Sequence, residues 1–294
     1  MQISANGIAL EVEDHGSPTG EPLLLIMGLG MQLVAWHDEF VQRLVASGFR
    51  VIRFDNRDVG LSQNFDHLGV PGFAAIALKH ALGLHVHSPY SLADMAGDSA
   101  GVLDALGIAQ AHVCGASMGG MVAQQLAVQH PQRVKSLSLM MTSSGARRLP
   151  GPSVKVRAAM LSRPRDPGNV DSVVAFYVRL FKLIGSPAYP SNDAWLNEWL
   201  ERAVRRSYRP RGTARQLAAI VADGDRSALL SRIKVPAQVL HGTADPLVPV
   251  AAGRDLAQKI AGARIDLIEG MGHDLPMALW PRFVAGISAA AARA

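Results

Sequence analysis

The chain has 294 residues, of which 49% are hydrophobic, 18% charged and 5% aromatic. This length and apolar content suit one large hydrophobic core and exclude a disordered chain. The net charge is +5, but the basic residues form no long run and aromatic residues are few, so we expect no nucleic-acid partner.

Cysteine content and the N-terminal sequence indicate the compartment. The single cysteine, Cys114, excludes an internal disulfide and is typical of a reducing environment. The first residues lack the charged and apolar blocks of a signal peptide, and no apolar run is long enough to span a bilayer. We therefore expect a cytoplasmic protein without stable membrane association, and we separately expect a monomer or a homodimer.

The first 145 residues alternate between predicted strands and helices. Residues 8–13 alternate like an antiparallel strand, which we expect at the edge of the sheet. The later strands are mostly apolar, as in a sheet covered on both faces by helices. They are predicted at 22–27, 49–54, 111–114 and 134–141, with helices at 36–47, 92–106 and 118–130. This order predicts a mostly parallel, doubly wound sheet with right-handed crossovers.

Residues 146–228 differ from the rest of the chain. They have no strand pattern, and their Lys and Arg outnumber Asp and Glu about two to one. Their clearest helix follows a predicted N-cap at Asp193, with Trp195 and Trp199 on its apolar face and Glu198–Arg202 and Glu201–Arg205 as pairs. We predict a helical cap inserted into a core of residues 1–145 and 229–294.

The C-terminal region completes the sheet. Strands are predicted at 237–240 and 263–268, with a helix at 254–261 between them and a closing helix at 279–291. These patterns place seven strands, and the fold class that we predict is a sheet of eight. Ligands bind at the C-terminal edge of such sheets, so the cap should cover a site there.

A serine lies between two small-residue positions at the end of the strand 111–114. Gly115 and Gly119 flank Ser117 in the Gly-x-Ser-x-Gly pattern of a nucleophile elbow, where a strand turns sharply into a helix. Such a turn exposes the hydroxyl and sets it at a helix N-terminus, which stabilises negative charge. We therefore predict that Ser117 is a nucleophile and that the Met118 N–H binds an oxyanion.

The loop after the strand 22–27 allows two interpretations. Gly28 and Gly30, with Asp55 further along the chain, imitate a dinucleotide-binding fingerprint, but Leu33 stands where the third glycine belongs. The interpretation that we favour is an oxyanion loop in which the Leu29 N–H faces Ser117. No organic cofactor or metal is then expected.

A serine hydroxyl needs a base, and the base needs an orienting acid. His273 follows the last predicted strand in a Gly-x-Gly-His loop, and Asp245 follows the neighbouring strand. His241 and Asp274 are the rivals, which we expect to be structural. The charged turn formed by Asp55, Arg57 and Asp58 is predicted to tie loops together, and the apolar segment 64–90 either borders the pocket or is partly helical filler.

The order Ser117, Asp245, His273 resembles that of the α/β-hydrolase superfamily. The resemblance extends to the oxyanion loop at 27–30, the charged turn at 55–62, the elbow and the histidine loop, and it is closest to the carboxylesterase branch, including aclacinomycin methylesterase-like proteins. Two positions depart from the family pattern: Met27 replaces a histidine and Asp58 replaces a turn glycine.

The resemblance implies hydrolysis of small to medium, uncharged carboxylic esters through an acyl-enzyme. The same triad serves lactone opening, perhydrolysis and carbon–carbon cleavage, and a slow-turnover ligand receptor is a further alternative. A serine nucleophile argues against haloalkane dehalogenation and epoxide opening, which use a carboxylate. The residues expected to line the substrate pocket are Gly28, Gly30, Trp36, Trp195 and Trp199.

Overall fold

The computed structural model describes residues 1–294, apart from the side chain of His80. Its eight strands form one sheet in the order β1-β2-β4-β3-β5-β6-β7-β8, which is parallel from β4 to β8. This confirms the predicted mostly parallel, eight-stranded sheet. The strands are β1 Gln2–Ala5, β2 Ile8–His15, β3 Glu21–Ile26, β4 Phe49–Phe54, β5 Ala111–Ala116, β6 Val134–Met140, β7 Ala237–Gly242 and β8 Arg264–Ile268.

The edge strand differs from the prediction. β1 pairs antiparallel with β2 and lies outside it, so the expectation that residues 8–13 form the edge is wrong. Asn6 and Gly7 connect the two strands with φ of 51° and 76°. An Asn-Gly pair with positive φ is the strongest short-range signal for a hairpin, and it explains why so short a strand forms here.

Helices cover both faces of the sheet. Alternate residues of one strand point to opposite faces. Leu24 packs under α3 (Leu92–Ala105) and α4 (Met118–Gln129), whereas Leu25 packs under α1 (Asp38–Ala46) and α11 (Trp280–Ala291). None of the described helices is both long and apolar enough to cross a bilayer. The helices are α1 Asp38–Ala46, α2 Phe73–Ala81, α3 Leu92–Ala105, α4 Met118–Gln129, α5 Val154–Leu161, α6 Val170–Ile184, α7 Asp193–Arg206, α8 Pro210–Asp223, α9 Ser227–Leu230, α10 Ala251–Lys259 and α11 Trp280–Ala291.

The segment predicted as a cap contains helices α5 to α9, and the structure describes no strand between β6 and β7. The N-cap of α7 is Asn192, whose side chain accepts hydrogen bonds from the N–H groups of Ala194 and Trp195, so the cap predicted at Asp193 is wrong by one residue. Glu201 pairs with Arg205 as expected. The expected pair between Glu198 and Arg202 does not form among the described side chains.

The charged turn after β4 joins the core to the inserted helices through Asp58. Its backbone is left-handed, with φ of 71°, at the position where the family pattern has glycine. Arg215 of α8 donates two hydrogen bonds to the Asp58 carboxylate, and both side chains are buried. Burial raises the pKa of Asp58, but the bonds from Arg215, the Phe65 N–H and the Tyr90 hydroxyl outweigh it and hold the pKa below its usual value.

Replacing Arg215 with methionine is expected to lower the free energy of unfolding by about 3–5 kcal/mol, because it leaves the buried Asp58 carboxylate unpaired. Urea unfolding at neutral pH measures this change. The matched control is Arg205→Met, which removes an exposed partner of Glu201 and should cost about 0.3–0.5 kcal/mol. Equal losses in the two variants would contradict the assignment.

The same pair has a pH signature. Because the pKa of Asp58 is lowered in the folded state, its stabilisation is present at neutral pH and is lost as the pH falls below about 4. The free energy of unfolding should therefore fall less steeply below about pH 4 in Arg215→Met than in the wild type.

Candidate active site

Ser117 lies in a strained turn between β5 and α4. Its φ and ψ are 54° and −119°, and it is the N-cap of α4. The turn requires glycine on both sides, since a Cβ at Gly115 would collide with the backbone of Gly119, and one at Gly119 would collide with the carbonyl of Ile26. Strain of this kind is characteristic of functional positions, and the turn leaves the Ser117 side chain partly exposed.

Ser117, His273 and Asp245 form one chain of hydrogen bonds. Nε2 of His273 lies 3.0 Å from Oγ of Ser117, and Nδ1 lies 2.7 Å from Oδ2 of Asp245. The other Asp245 oxygen accepts the N–H groups of Leu247 and Val248, at 2.9 and 2.8 Å, which fixes the carboxylate. The geometry suits proton transfer from the serine hydroxyl to the imidazole, since nucleophile, base and orienting acid are all within hydrogen-bonding reach.

The two rival residues make structural contacts. His241 is fully buried, its Nε2 bonds to the carbonyl of Val248 at 2.8 Å, and burial lowers its pKa. It therefore supports the loop that carries Asp245. Asp274 hydrogen-bonds to the Ser186 hydroxyl, and burial raises its pKa. Neither side chain bonds to Ser117 or to the ring of His273.

The loop 28–30 lies against Ser117. A Cβ at Gly28 would be 3.1 Å from Cβ of Ser117, so the backbone approaches the serine closely. The N–H groups of Leu29 and Met118 have no acceptor among the described residues. The Met118 amide is at the first position of α4, where helix N–H groups are unpaired and the helix dipole is positive. These two amides are thus available to a ligand at Ser117.

The inserted helices hold this loop, a feature that the sequence analysis missed. The buried Gln216 of α8 accepts the Gly30 N–H at 2.8 Å and donates to the carbonyl of Arg57. Gln32 donates to the carbonyls of Ala203 and Ser207 at the end of α7. No sequence signal marks these glutamines, because their partners are far along the chain.

Helix α6 supports the histidine loop in a similar way. The His273 N–H donates to the carbonyl of Ile184 at 2.7 Å. Gly272 packs so closely on Gly185 that any side chain at 272 would collide with it. The inserted segment therefore positions both the loop 28–30 and the loop that carries His273.

A cavity of about 1330 Å³ lies between the sheet edge and the inserted helices. Ser117, His273 and Leu29 line it, and so do the predicted pocket residues Gly28, Gly30, Trp195 and Trp199. Trp36 does not: it is fully buried and stacks on Phe40 in the core beneath α1, so its assignment to the pocket is wrong. The side chain of Met118 likewise packs in the core. From the segment 64–90, Val70, Pro71 and Phe73 reach the cavity.

Other reactive side chains lie outside this arrangement. Cys114 is buried in β5, and burial raises the pKa of its thiol, which keeps it unreactive. Over the part of the chain that the structure describes, no three His, Cys, Asp or Glu side chains are grouped so as to hold a metal ion.

Comparisons with known proteins show the family and the fold of this chain. The sequence matches the model of the alpha/beta hydrolase fold family over residues 21–277. It is 30% identical to rhodomycin D methylesterase DauP of Streptomyces sp. (strain C5) and to DnrP of Streptomyces peucetius, over 98% of this chain and 96% of each relative. The enol-lactonase from Burkholderia xenovorans LB400 has the same fold, with a TM-score of 0.74, 24% identity and 99% coverage of both chains. The predicted resemblance to methylesterase-like members is confirmed.

Proposed function

We propose that this chain, which belongs to the α/β hydrolase fold family, hydrolyses small to medium, uncharged carboxylic esters through an acyl-enzyme on Ser117. The observation that carries the proposal is the hydrogen-bonded chain Ser117–His273–Asp245, with contacts of 3.0 and 2.7 Å, at the wall of a large cavity. Its parts and their roles are those of a serine hydrolase triad.

The reaction proceeds in two stages. Oγ of Ser117 attacks the ester carbonyl while Nε2 of His273 accepts the serine proton, and the Leu29 and Met118 N–H groups bind the oxyanion. The C–O bond to the alcohol then breaks, and His273 gives its proton to the leaving alkoxide. Water, deprotonated by His273, releases the acid from the acyl-enzyme, and the proton returns to Ser117. Asp245 fixes the imidazole tautomer and stabilises the imidazolium, so this mechanism requires no metal or organic cofactor.

The cavity wall supports an apolar substrate. Leu29, Met31, Phe181, Trp195 and Leu247 are among its lining residues. Such a wall favours uncharged groups because a charge would lose its hydration there. The two Streptomyces relatives are methylesterases by name, which supports methyl esters as the first class of substrate to examine here.

A substrate panel tests the proposal. We expect turnover of p-nitrophenyl esters and of apolar methyl esters, and much slower turnover of the corresponding amides. A lactone, a peroxide-dependent assay and a carbon–carbon cleavage substrate belong in the same panel, because those reactions use the same side chains. Preference for one of these would replace the ester as the substrate class, and no turnover of any would contradict the proposal.

A ligand receptor is distinguished by stoichiometry. A receptor that retains a triad would release about one p-nitrophenol per protein and then stop, whereas an esterase continues after any initial burst. Sustained release at a constant rate is the expected result.

Replacing Gln216 with methionine is expected to lower kcat about tenfold, because Gly30 loses the acceptor that holds the oxyanion loop, and misplacement of a catalytic group is costly. The diagnostic measurement is the affinity for an alkyl boronic acid, whose tetrahedral adduct on serine mimics the intermediate. This affinity should fall with kcat, while KM should change little.

Gln124→Met is the matched control for Gln216→Met. Gln124 is equally buried, but it bonds to Ser143 and Arg226 and does not touch the loop 28–30. Its boronate affinity should stay at the wild-type value. A similar loss in both variants would show that Gln216 acts through general stability and not through the oxyanion loop.

A further inference from the structure

Aliphatic side chains protrude from two segments beside the cavity, residues 67–93 and 146–165, which we call the mouth segments. Leu78, Leu82 and Leu84 follow one another along and after α2, and Val154 and Leu161 lie at the two ends of α5. These five side chains are between 56% and 81% exposed. Large exposed apolar patches usually mark an interaction site.

The charge of the mouth segments has one sign. Neither segment contains an Asp or Glu, and the nearest acids along the chain are the flanking Asp66, Asp94 and Asp166. The basic side chains are exposed, and they are Lys79, Arg147, Arg148, Lys155, Arg157, Arg163 and Arg165. Of these, Arg148 makes an ion pair, with Asp255. A partner surface with negative charge would therefore be attracted to this region.

The two segments lie together at the opening of the cavity. Val70 and Phe73 line the cavity from the first segment, and Leu161 and Arg163 line it from the second. Further along the first segment, Gly83 contacts Arg147 of the second, since a Cβ on Gly83 would be 3.1 Å from Nη1 of Arg147. Since Val70 and Leu161 are both exposed and line the cavity, the cavity reaches the surface between the mouth segments.

We propose that the mouth segments are a docking surface for an anionic lipid bilayer, with the leucines in the headgroup–acyl boundary and the basic side chains on lipid phosphates. Protruding aliphatic groups interleaved with Lys and Arg are the pattern of reversible interfacial binding, which needs no spanning helix. Docking in this orientation turns the cavity opening toward the bilayer, so an apolar ester dissolved in the lipid reaches Ser117 without crossing water.

A second copy of this chain fits the surface less well. A two-fold contact would place the mouth segments of one copy against those of the other, and the exposed Lys and Arg would then face like charges, since neither segment contains a carboxylate. Anionic lipid headgroups neutralise the same side chains.

Co-sedimentation with vesicles tests the docking surface. Wild type should bind vesicles of phosphatidylcholine mixed with phosphatidylglycerol, bind phosphatidylcholine alone far more weakly, and lose affinity as salt is added. The double variant Lys155→Glu/Arg157→Glu should bind the mixed vesicles about tenfold more weakly or worse. Leu78→Gln/Leu82→Gln should show a loss of about tenfold for the same vesicles.

The controls separate docking from folding and from chemistry. Arg264→Glu/Ile265→Gln changes an exposed basic and an exposed aliphatic residue on β8, away from the cavity, and should bind like wild type. Both mouth variants should keep wild-type hydrolysis of a water-soluble p-nitrophenyl ester, since none of the four residues lines the cavity. Ser117→Ala should bind vesicles like wild type. Vesicle binding therefore tests the docking surface, and ester hydrolysis tests the proposed function, so that either proposal can fail while the other holds.

Three outcomes would overturn the docking proposal. The first is vesicle binding that the mouth variants leave unchanged. The second is binding of wild type to soluble polyglutamate but not to the mixed vesicles. The third is self-association of wild type in sedimentation velocity, abolished by Leu78→Gln/Leu82→Gln, in a protein that binds no vesicles. The second outcome would indicate an acidic polypeptide partner, and the third a second copy of the chain.

Discussion

Ser117→Ala is expected to lower kcat for a p-nitrophenyl ester by roughly 10⁴- to 10⁶-fold, because it removes the nucleophile and leaves only the oxyanion amides and the cavity. The fold should be unaffected, since the Ser117 hydroxyl makes one hydrogen bond, to His273, and the turn itself depends on Gly115 and Gly119. Stopped-flow kinetics and urea unfolding measure the two quantities separately.

A covalent probe makes the same test independent of turnover. A fluorophosphonate should phosphonylate Oγ of Ser117 in the wild type, with fluoride as the leaving group, and intact mass should show a single adduct that is absent from Ser117→Ala. Ser47→Ala, at an exposed hydroxyl at the end of α1, is the control and should behave like wild type. Turnover retained in Ser117→Ala would remove the triad from the mechanism.

Asp245→Asn is expected to lower kcat by about 10⁴-fold with little change in KM. The N–H groups of Leu247 and Val248 would hold the amide oxygen of asparagine where they now hold Oδ1. The amide NH₂ would then face Nδ1 of His273 and donate to it, which places the ring proton on Nε2. In that tautomer the imidazole cannot accept the proton of Ser117, although the arrangement of side chains is preserved.

Asp274→Asn is the control for Asp245→Asn, because Asp274 is the carboxylate next to His273 in the sequence. Its bond to Ser186 lies outside the chain of hydrogen bonds at Ser117. We expect kcat within about threefold of wild type. A large loss in Asp274→Asn together with a small loss in Asp245→Asn would exchange the roles assigned to the two carboxylates.

Local features of the sequence predicted the fold well. A strand that is apolar on both faces needs helices on both sides of the sheet. The apolar runs at β3 and β4 therefore predict buried strands, and their side chains do pack into the cores on both faces. The missed strand β1 has only four residues, too few for a periodic pattern, yet the Asn6-Gly7 pair that follows it carries the hairpin signal.

The residues of the pocket are harder to predict from the sequence than the sharp turn at Ser117. Trp36, Trp195 and Trp199 have similar side chains, and nothing in their neighbouring residues separates a wall residue from a core residue. The structure buries Trp36 under α1 and leaves Trp195 and Trp199 facing the cavity from α7. Which side a tryptophan faces depends on how its segment packs on others, and that is a property of the assembled chain.

The sequence alone determined seven of the eight strands, the sharp turn at Ser117 and the order of serine, aspartate and histidine, because steric exclusion and side-chain periodicity act over a few residues. The tertiary structure decided which carboxylate bonds to His273 and how α8 holds the oxyanion loop through Gly30 and Gln216, residues 186 positions apart. Such contacts depend on the path of the whole chain, since no local rule relates two side chains that meet only after the inserted helices fold over the sheet.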